Sequence, residues 1–179
     1  MIQLLDRLPY FSCPKVVEAG GESFEIRRDQ IVCWVCLTPS HVTQWDERFR
    51  RHRFPTLIDL GHGHNFTLHG EHLKSWSGLK TSELIALGSV AINGRHVPLF
   101  DAVVWMFPNL PGSMDIDPDR LPARIDLDEG ISVVAGRSFP RIPLFGLRPF
   151  QLNGLTLTVE GATQRVWLTM PGGVESGTR

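Results

Sequence analysis

A single carboxylate, Asp59, closes the apolar run Phe54-Pro-Thr-Leu-Ile58 and is followed at once by Leu60-Gly61. Leu57 and Ile58 favour a buried strand on one side of the acid, and Gly61 permits a sharp turn on the other. The carboxyl is thereby set at the mouth of a core, where its ionisation can be tuned for acid–base chemistry. Just beyond the turn stand His62, His64, His69 and His72, four of the seven histidines within eleven residues, with Glu71 among them. Imidazoles and carboxylates at this density suit zinc, His62 and His64 sharing a face if extended and His69 and His72 sharing one if helical. The same histidines also read as turn-fixing hydrogen bonds (His64, with Asn65) and exposed helix positions (His69, His72), or as a substrate- or proton-handling pair (His62, His64).

The elements that must hold these groups are short strands. The chain has 17 glycines and 13 prolines scattered between runs of branched and aromatic residues, the pattern of an all-β domain. Strands are expected over 23–26, 30–38, 56–59, 84–92, 96–107, 130–135, 142–144, 155–160 and 164–170. Asn93-Gly94 sits between two of them and supplies the residues a type I′ hairpin turn requires. Alternating polar and apolar residues around Gly161 predict a second hairpin. Short helices are expected near Val42–Arg51, after Ser40, and near His69–Trp76. The basic run Arg48–Arg53 reads as a solvated face.

Composition narrows the function classes. With 179 residues, 42% hydrophobic and 21% charged, the chain suits one packed domain, and a net charge of -1 disfavours nucleic acid. An acid arrives at Asp6 before any apolar leader develops, and no apolar run approaches ~20 residues, so neither a secretion signal nor a membrane span is expected. Cys13, Cys33 and Cys36 are too few and odd in number for a disulfide framework, which points to a reducing, cytoplasmic setting. Cys33 and Cys36 lie three apart on an expected strand, so their sulfurs diverge and a redox or zinc pair is disfavoured. No phosphate loop or dinucleotide fingerprint occurs, and no cofactor is implied. The expected organisation is an extension over 1–27, a domain over 28–170 with a Pro/Asp-rich loop insertion at 108–130, and a disordered tail over 171–179.

Two apolar residues followed by Asp59-Leu60-Gly61 resemble the active-site turn of retropepsin-like aspartic proteases. Ile142-Pro-Leu-Phe-Gly146 resembles that family's second signature, which passes beneath the turn and leads into a short helix. Val90–Val104 resembles its internal hairpin, and Leu155–Gly161 its closing strand. The resemblance implies an acid-protease closed β-barrel, one lobe per chain, with short helices. It also implies a homodimer, because peptide hydrolysis by aspartates needs two carboxyls sharing one proton and this chain offers one good candidate. Asp128-Glu129-Gly130 is a poorer turn, with charge at its centre. Asp59 is then the catalytic group, Leu60, Gly61 and His62 form its turn, Gly146 supports it, and the substrate is a peptide or protein.

The chain departs from that family at three places. Leu60 stands where a hydroxyl residue bonds across the dimer, His62 stands where a small residue is usual, and Trp76–Glu83 is short for a closing flap, leaving the 48–53 loop or the 108–130 insertion to cover the cleft. Three functions are open: an aspartic endopeptidase, weak or inactive because of Asp-Leu-Gly; a catalytically degenerate peptide-binding or assembly module; and a histidine-built metal site.

Overall fold

The structure is a computed structural model that describes residues 1–19, 21–136 and 140–172. Its elements in chain order are β1 (Ile2–Pro9), β2 (Lys15–Ala19), β3 (Glu22–Ile26), β4 (Ile31–Thr38), β5 (Phe54–Ile58), β6 (Phe66–His69), α1 (Gly70–Ser75), β7 (Ala86–Ile92) and β8 (Arg95–Phe100). There follow β9 (Val103–Met106), β10 (Ala123–Ile125), β11 (Ile131–Val134), β12 (Leu144–Phe145), α2 (Arg148–Asn153), β13 (Thr156–Glu160) and β14 (Arg165–Met170). Two turns of 3-10 helix cover Glu47–His52 and one covers Thr81–Glu83. The expected tail falls mostly outside the described residues, which end at 172.

The chain is mainly β, as the glycine and proline punctuation predicts, but the closed barrel is not what forms. Nine strands make one mixed sheet in the order β10-β9-β4-β5-β12-β6-β11-β8-β7, and a separate sheet runs β1-β14-β13. Closure needs a ladder between the outermost strands, and among the described residues β10 pairs only with β9 and β7 only with β8. The sheet therefore keeps two edges.

Local signals landed well. Asn93 and Gly94 take φ of 50° and 74°, the two positive values a type I′ turn needs, and join β7 to β8. Among the described residues the hairpin pairs with the rest of the sheet only at its base, where Leu99 and Phe100 face Ser132 and Ile131, and residues 89–98 pair only with each other. The single strand expected over 96–107 is broken at Asp101-Ala102. There the Asp101 N–H turns to the Ile85 carbonyl at 2.8 Å and the Ser40 hydroxyl bonds the Asp101 carboxylate.

On β4, Cys33, Val35 and Leu37 enter the main core with Phe54, Phe66 and Phe145, whereas Cys36 enters a second cluster with Val103, Trp105 and Phe107. The two thiols thus point apart. Burial pushes both up to about 12, so they stay protonated and unreactive at neutral pH.

The N-terminal residues are more than an extension. β1 pairs with β14 and sends Leu4, Leu5 and Leu8 into the main core. Its outer side is clasped by the 108–130 insertion through Asn109, which is 2% exposed. The Asn109 carboxamide accepts the Asp6 N–H at 2.8 Å, while its amide nitrogen donates to the carbonyls of Asp6 (3.0 Å), Leu110 and Ser113 (2.8 Å each). Replacing Asn109 by Ala strands one buried donor and several acceptors at once and is expected to cost about 2–3 kcal/mol. Urea unfolding of Asn109→Ala against the parent chain measures this.

Candidate active site

Asp59 lies directly after β5, a central strand. Its neighbour β12 is inserted between β5 and β6, running parallel to β5 through Leu144 opposite Leu57 and antiparallel to β6 through Phe145 opposite Phe66. The inserted segment holds the acid's backbone from beneath. The Leu57 N–H donates to Pro143 at 2.8 Å and the Asp59 N–H to Phe145 at 2.9 Å. Beyond the turn, the Gly146 N–H donates to Asn65 at 2.8 Å and the Leu147 N–H to His62 at 2.9 Å. α2 follows immediately.

Gly146 is required by this closeness. A Cβ built there would lie 1.9 Å from the His64 carbonyl oxygen and 2.6 Å from that of His62. The turn itself closes with the His62 N–H donating to the Asp59 carbonyl at 3.0 Å, and the Asp59 carboxylate Oδ1 accepts the Gly61 N–H at 3.0 Å. Leu60 occupies the turn's first central position and is 45% exposed.

His62 is buried and sits in a hydrogen-bond chain. Its Nε2 lies 2.7 Å from Thr67 Oγ1, which lies 2.6 Å from Ser132 Oγ, and Ser132 donates to the Phe66 carbonyl at 3.1 Å. Because Ser132 has spent its one hydrogen, Thr67 donates to Ser132 and His62 Nε2–H donates to Thr67. Burial, and then the nearby His64, hold His62 below its ordinary value against the pull of Asp59. The imidazole beside the acid is therefore neutral at neutral pH.

The remaining histidines do other work. His64 lies edge-on to His62 with ring centres 5.2 Å apart. His69 caps α1, its ring accepting the Glu71 N–H at 3.3 Å. His72 is half-buried and stacks on Trp76 at 3.9 Å with the planes 15° apart. Neither His69 nor His72 is the freely exposed helix residue that composition suggested. Among the described residues no three His, Cys, Asp or Glu side chains converge to hold a metal ion.

His72 gives the fold an acid limit. Burial, and then His69, lower it from 6.5 to about 4 against the pull of Glu71. The folded state prefers the neutral ring, so its contribution is complete above pH 6.5 and is lost as pH falls towards 4. Allowing for its half-exposed position, roughly 1–2 kcal/mol disappears over that window. Melting temperatures of His72→Phe, which keeps an aromatic stack without titrating, should fall less between pH 7.5 and 4.5 than those of the parent.

Several supports were not legible from the chain. Asp128, in the Asp-x-Gly set aside as a poor turn, accepts the Asn65 amide at 2.7 Å and faces Arg148 at 3.5 Å, while Arg148 also pairs with Glu129. The second Asp-x-Gly thus braces the first. Two cavities flank the acid. One, of about 290 Å³, is bordered by Asp59, Leu57, Gln30, Phe24, Ile142 and Arg141. The other, of about 270 Å³, shares Asp59, Leu57 and Gln30 and adds Asp29 and Ile31.

Among the described residues no helix is long and apolar enough to cross a membrane. Compared with known protein families, with curated proteins and with solved structures, the chain matches none.

Proposed function

We propose that the chain is an aspartic endopeptidase of retropepsin-like design that works as a homodimer, its substrate an extended peptide. The observation that carries this reading is the clasp: Asp59 ends a central strand, and a second segment threaded between β5 and β6 binds its turn from below and continues into a short helix. That clasp holds the acid's backbone beside two cavities of about 290 and 270 Å³.

One chain supplies one such acid, so the reaction takes two copies. With one proton shared between the two carboxyls, the ionised one removes a proton from a water as its oxygen attacks the scissile carbonyl. The protonated one donates to the carbonyl oxygen, and collapse of the tetrahedral diol passes the proton taken from water to the leaving nitrogen while a diol hydroxyl returns a proton to the other carboxylate, restoring the pair. The 108–130 insertion is not free to close over a bound peptide, since Asn109 ties it to β1. A second reading, a peptide-binding module without chemistry, is favoured by Leu60, which brings no hydroxyl to brace the paired acids.

Hydrolysis of unfolded protein at mildly acid pH, with specific activity that rises with chain concentration and is blocked by a statine-type inhibitor, is the expected result. Inhibitor binding by a dimer that cleaves nothing would favour the module, and neither cleavage nor binding would remove both readings.

A further inference from the structure

A cleft of about 240 Å³ lies at the end of the β4–β5 pair away from Asp59 and is independent of the reading of that acid. Leu37, which lines it, stands six residues along β4 from Ile31, which borders the acid's second cavity; on an extended strand that is roughly 20 Å. Its basic walls are Arg48, Arg51 and His52, from the 3-10 turns that precede β5, and its apolar lining is Leu37, Phe49 and Leu79. Among the described residues no acid lines it. The arginines of these turns are used differently. Arg48 bonds Asp46 at 2.7 Å and Arg50 bonds Glu47 at 2.7 Å. Arg51 has no carboxylate partner among the described residues; its Nε–H donates instead to His52 Nε2 at 3.0 Å. A ring nitrogen that accepts carries no proton, so His52 is the neutral Nδ1–H tautomer. Burial, and then Arg51, hold it below its ordinary value against a hydrogen bond to the Trp76 backbone. The ring is itself held, lying on Gly78, where a Cβ would come within 2.6 Å of it. A fixed neutral imidazole thus grips one edge of a guanidinium and leaves its other N–H groups open beside the cleft.

We infer that this cleft binds a small phosphate monoester: two phosphate oxygens take paired N–H groups of Arg51, the Arg48 guanidinium adds its charge, and Leu37, Phe49 and Leu79 receive the ester's organic group. The planar fork of a guanidinium matches a phosphate edge with two parallel bonds. Two guanidiniums, of which only Arg48 is offset by an acid, suit a dianion better than the single charge of a carboxylate. His52 is a positioning residue that acts through Arg51. An imidazole in place of a carboxylate orients the guanidinium without cancelling its charge, and the anion is what supplies the missing counter-charge.

Titration calorimetry in a phosphate-free buffer of low ionic strength tests it, with phenyl phosphate as the probe and inorganic phosphate, benzoate and phenol beside it. Phenyl phosphate should bind once per chain and at least about tenfold more tightly than inorganic phosphate or benzoate, and phenol should give no measurable heat. Arg51→Gln should weaken it at least about tenfold, and Arg51→Lys should recover only part of the loss, because an ammonium keeps the charge without the fork. His52→Phe should weaken binding with Arg51 intact, and His52→Gln, which restores an acceptor, should regain part of it. Arg95→Gln removes the same charge from the exposed start of β8 and should bind as the parent does. Urea midpoints matching the parent separate loss of the site from loss of the fold, and the exposed Arg51 carries the test if a His52 variant unfolds. A parent that does not bind the probe, parent-like binding by Arg51→Gln, or equal losses in Arg51→Gln and Arg95→Gln overturns the inference. Benzoate binding as tightly as phenyl phosphate overturns phosphate as the group recognised.

Discussion

Asp59→Asn should lower kcat/KM for peptide hydrolysis by at least about a thousandfold while leaving the fold and the dimer intact. The asparagine is nearly isosteric and its carboxamide oxygen can still accept the Gly61 N–H, which the carboxylate accepts at 3.0 Å. What is lost is the ability to take and give a proton, so the defect is chemical. A mixing experiment sharpens it. If each site needs one acid from each of two chains, refolding equal amounts of parent and Asp59→Asn chains together leaves about a quarter of the dimers with both acids. Activity per total chain should follow that fraction. Activity of about one half would mean that each chain acts alone, and the two-carboxyl mechanism would be wrong.

Gly146→Ala should be among the most damaging small substitutions in the described residues. The added carbon would sit 1.9 Å from one backbone oxygen and 2.6 Å from another, and both atoms belong to the turn after Asp59 rather than to a side chain that can swing away. Relief requires parting β12 from the turn and breaking the Gly146–Asn65 and Leu147–His62 bonds. A cost of about 4 kcal/mol or more is expected, enough to unfold a marginal domain. Gly63→Ala is the matched control: it lies in the same turn region, a Cβ there meets nothing within 4 Å, and its φ is not positive. Urea midpoints for the two variants should differ widely. Equal midpoints would show that the clasp is looser than its geometry.

Much of the scaffold was legible because it is local. The Asn93-Gly94 turn, the divergence of Cys33 and Cys36 on one strand, and the strand ending at Asp59 each follow from a few neighbouring residues. Sheet closure was not legible. An alternating pattern says that a strand has a buried face, but says nothing about which strands meet at the edges, and here β7 and β10 do not. β6 was hidden because Phe66–His69 is short and runs straight into α1, so its histidines read as turn or helix. The His62–Thr67–Ser132 chain and the Asp128–Asn65 brace join residues more than 60 apart or depend on that hidden strand. Single-residue chemistry pointed to the acid; long-range pairing decided what holds it.

The threading of β12 between β5 and β6 also sets when the site can exist. β5 and β6 are separated by only seven residues, from Asp59 to Asn65, and would form an easy hairpin with each other as soon as both were made. In the finished sheet they do not touch as partners, because residues 144 and 145 occupy the gap. A chain emerging from synthesis therefore has to keep that gap open, or reopen it, until more than 75 further residues have been added after β6. Until then the acid has a strand above it and nothing beneath. The growing chain carries an incomplete site through most of its synthesis, and its folding rate should be governed by this late insertion.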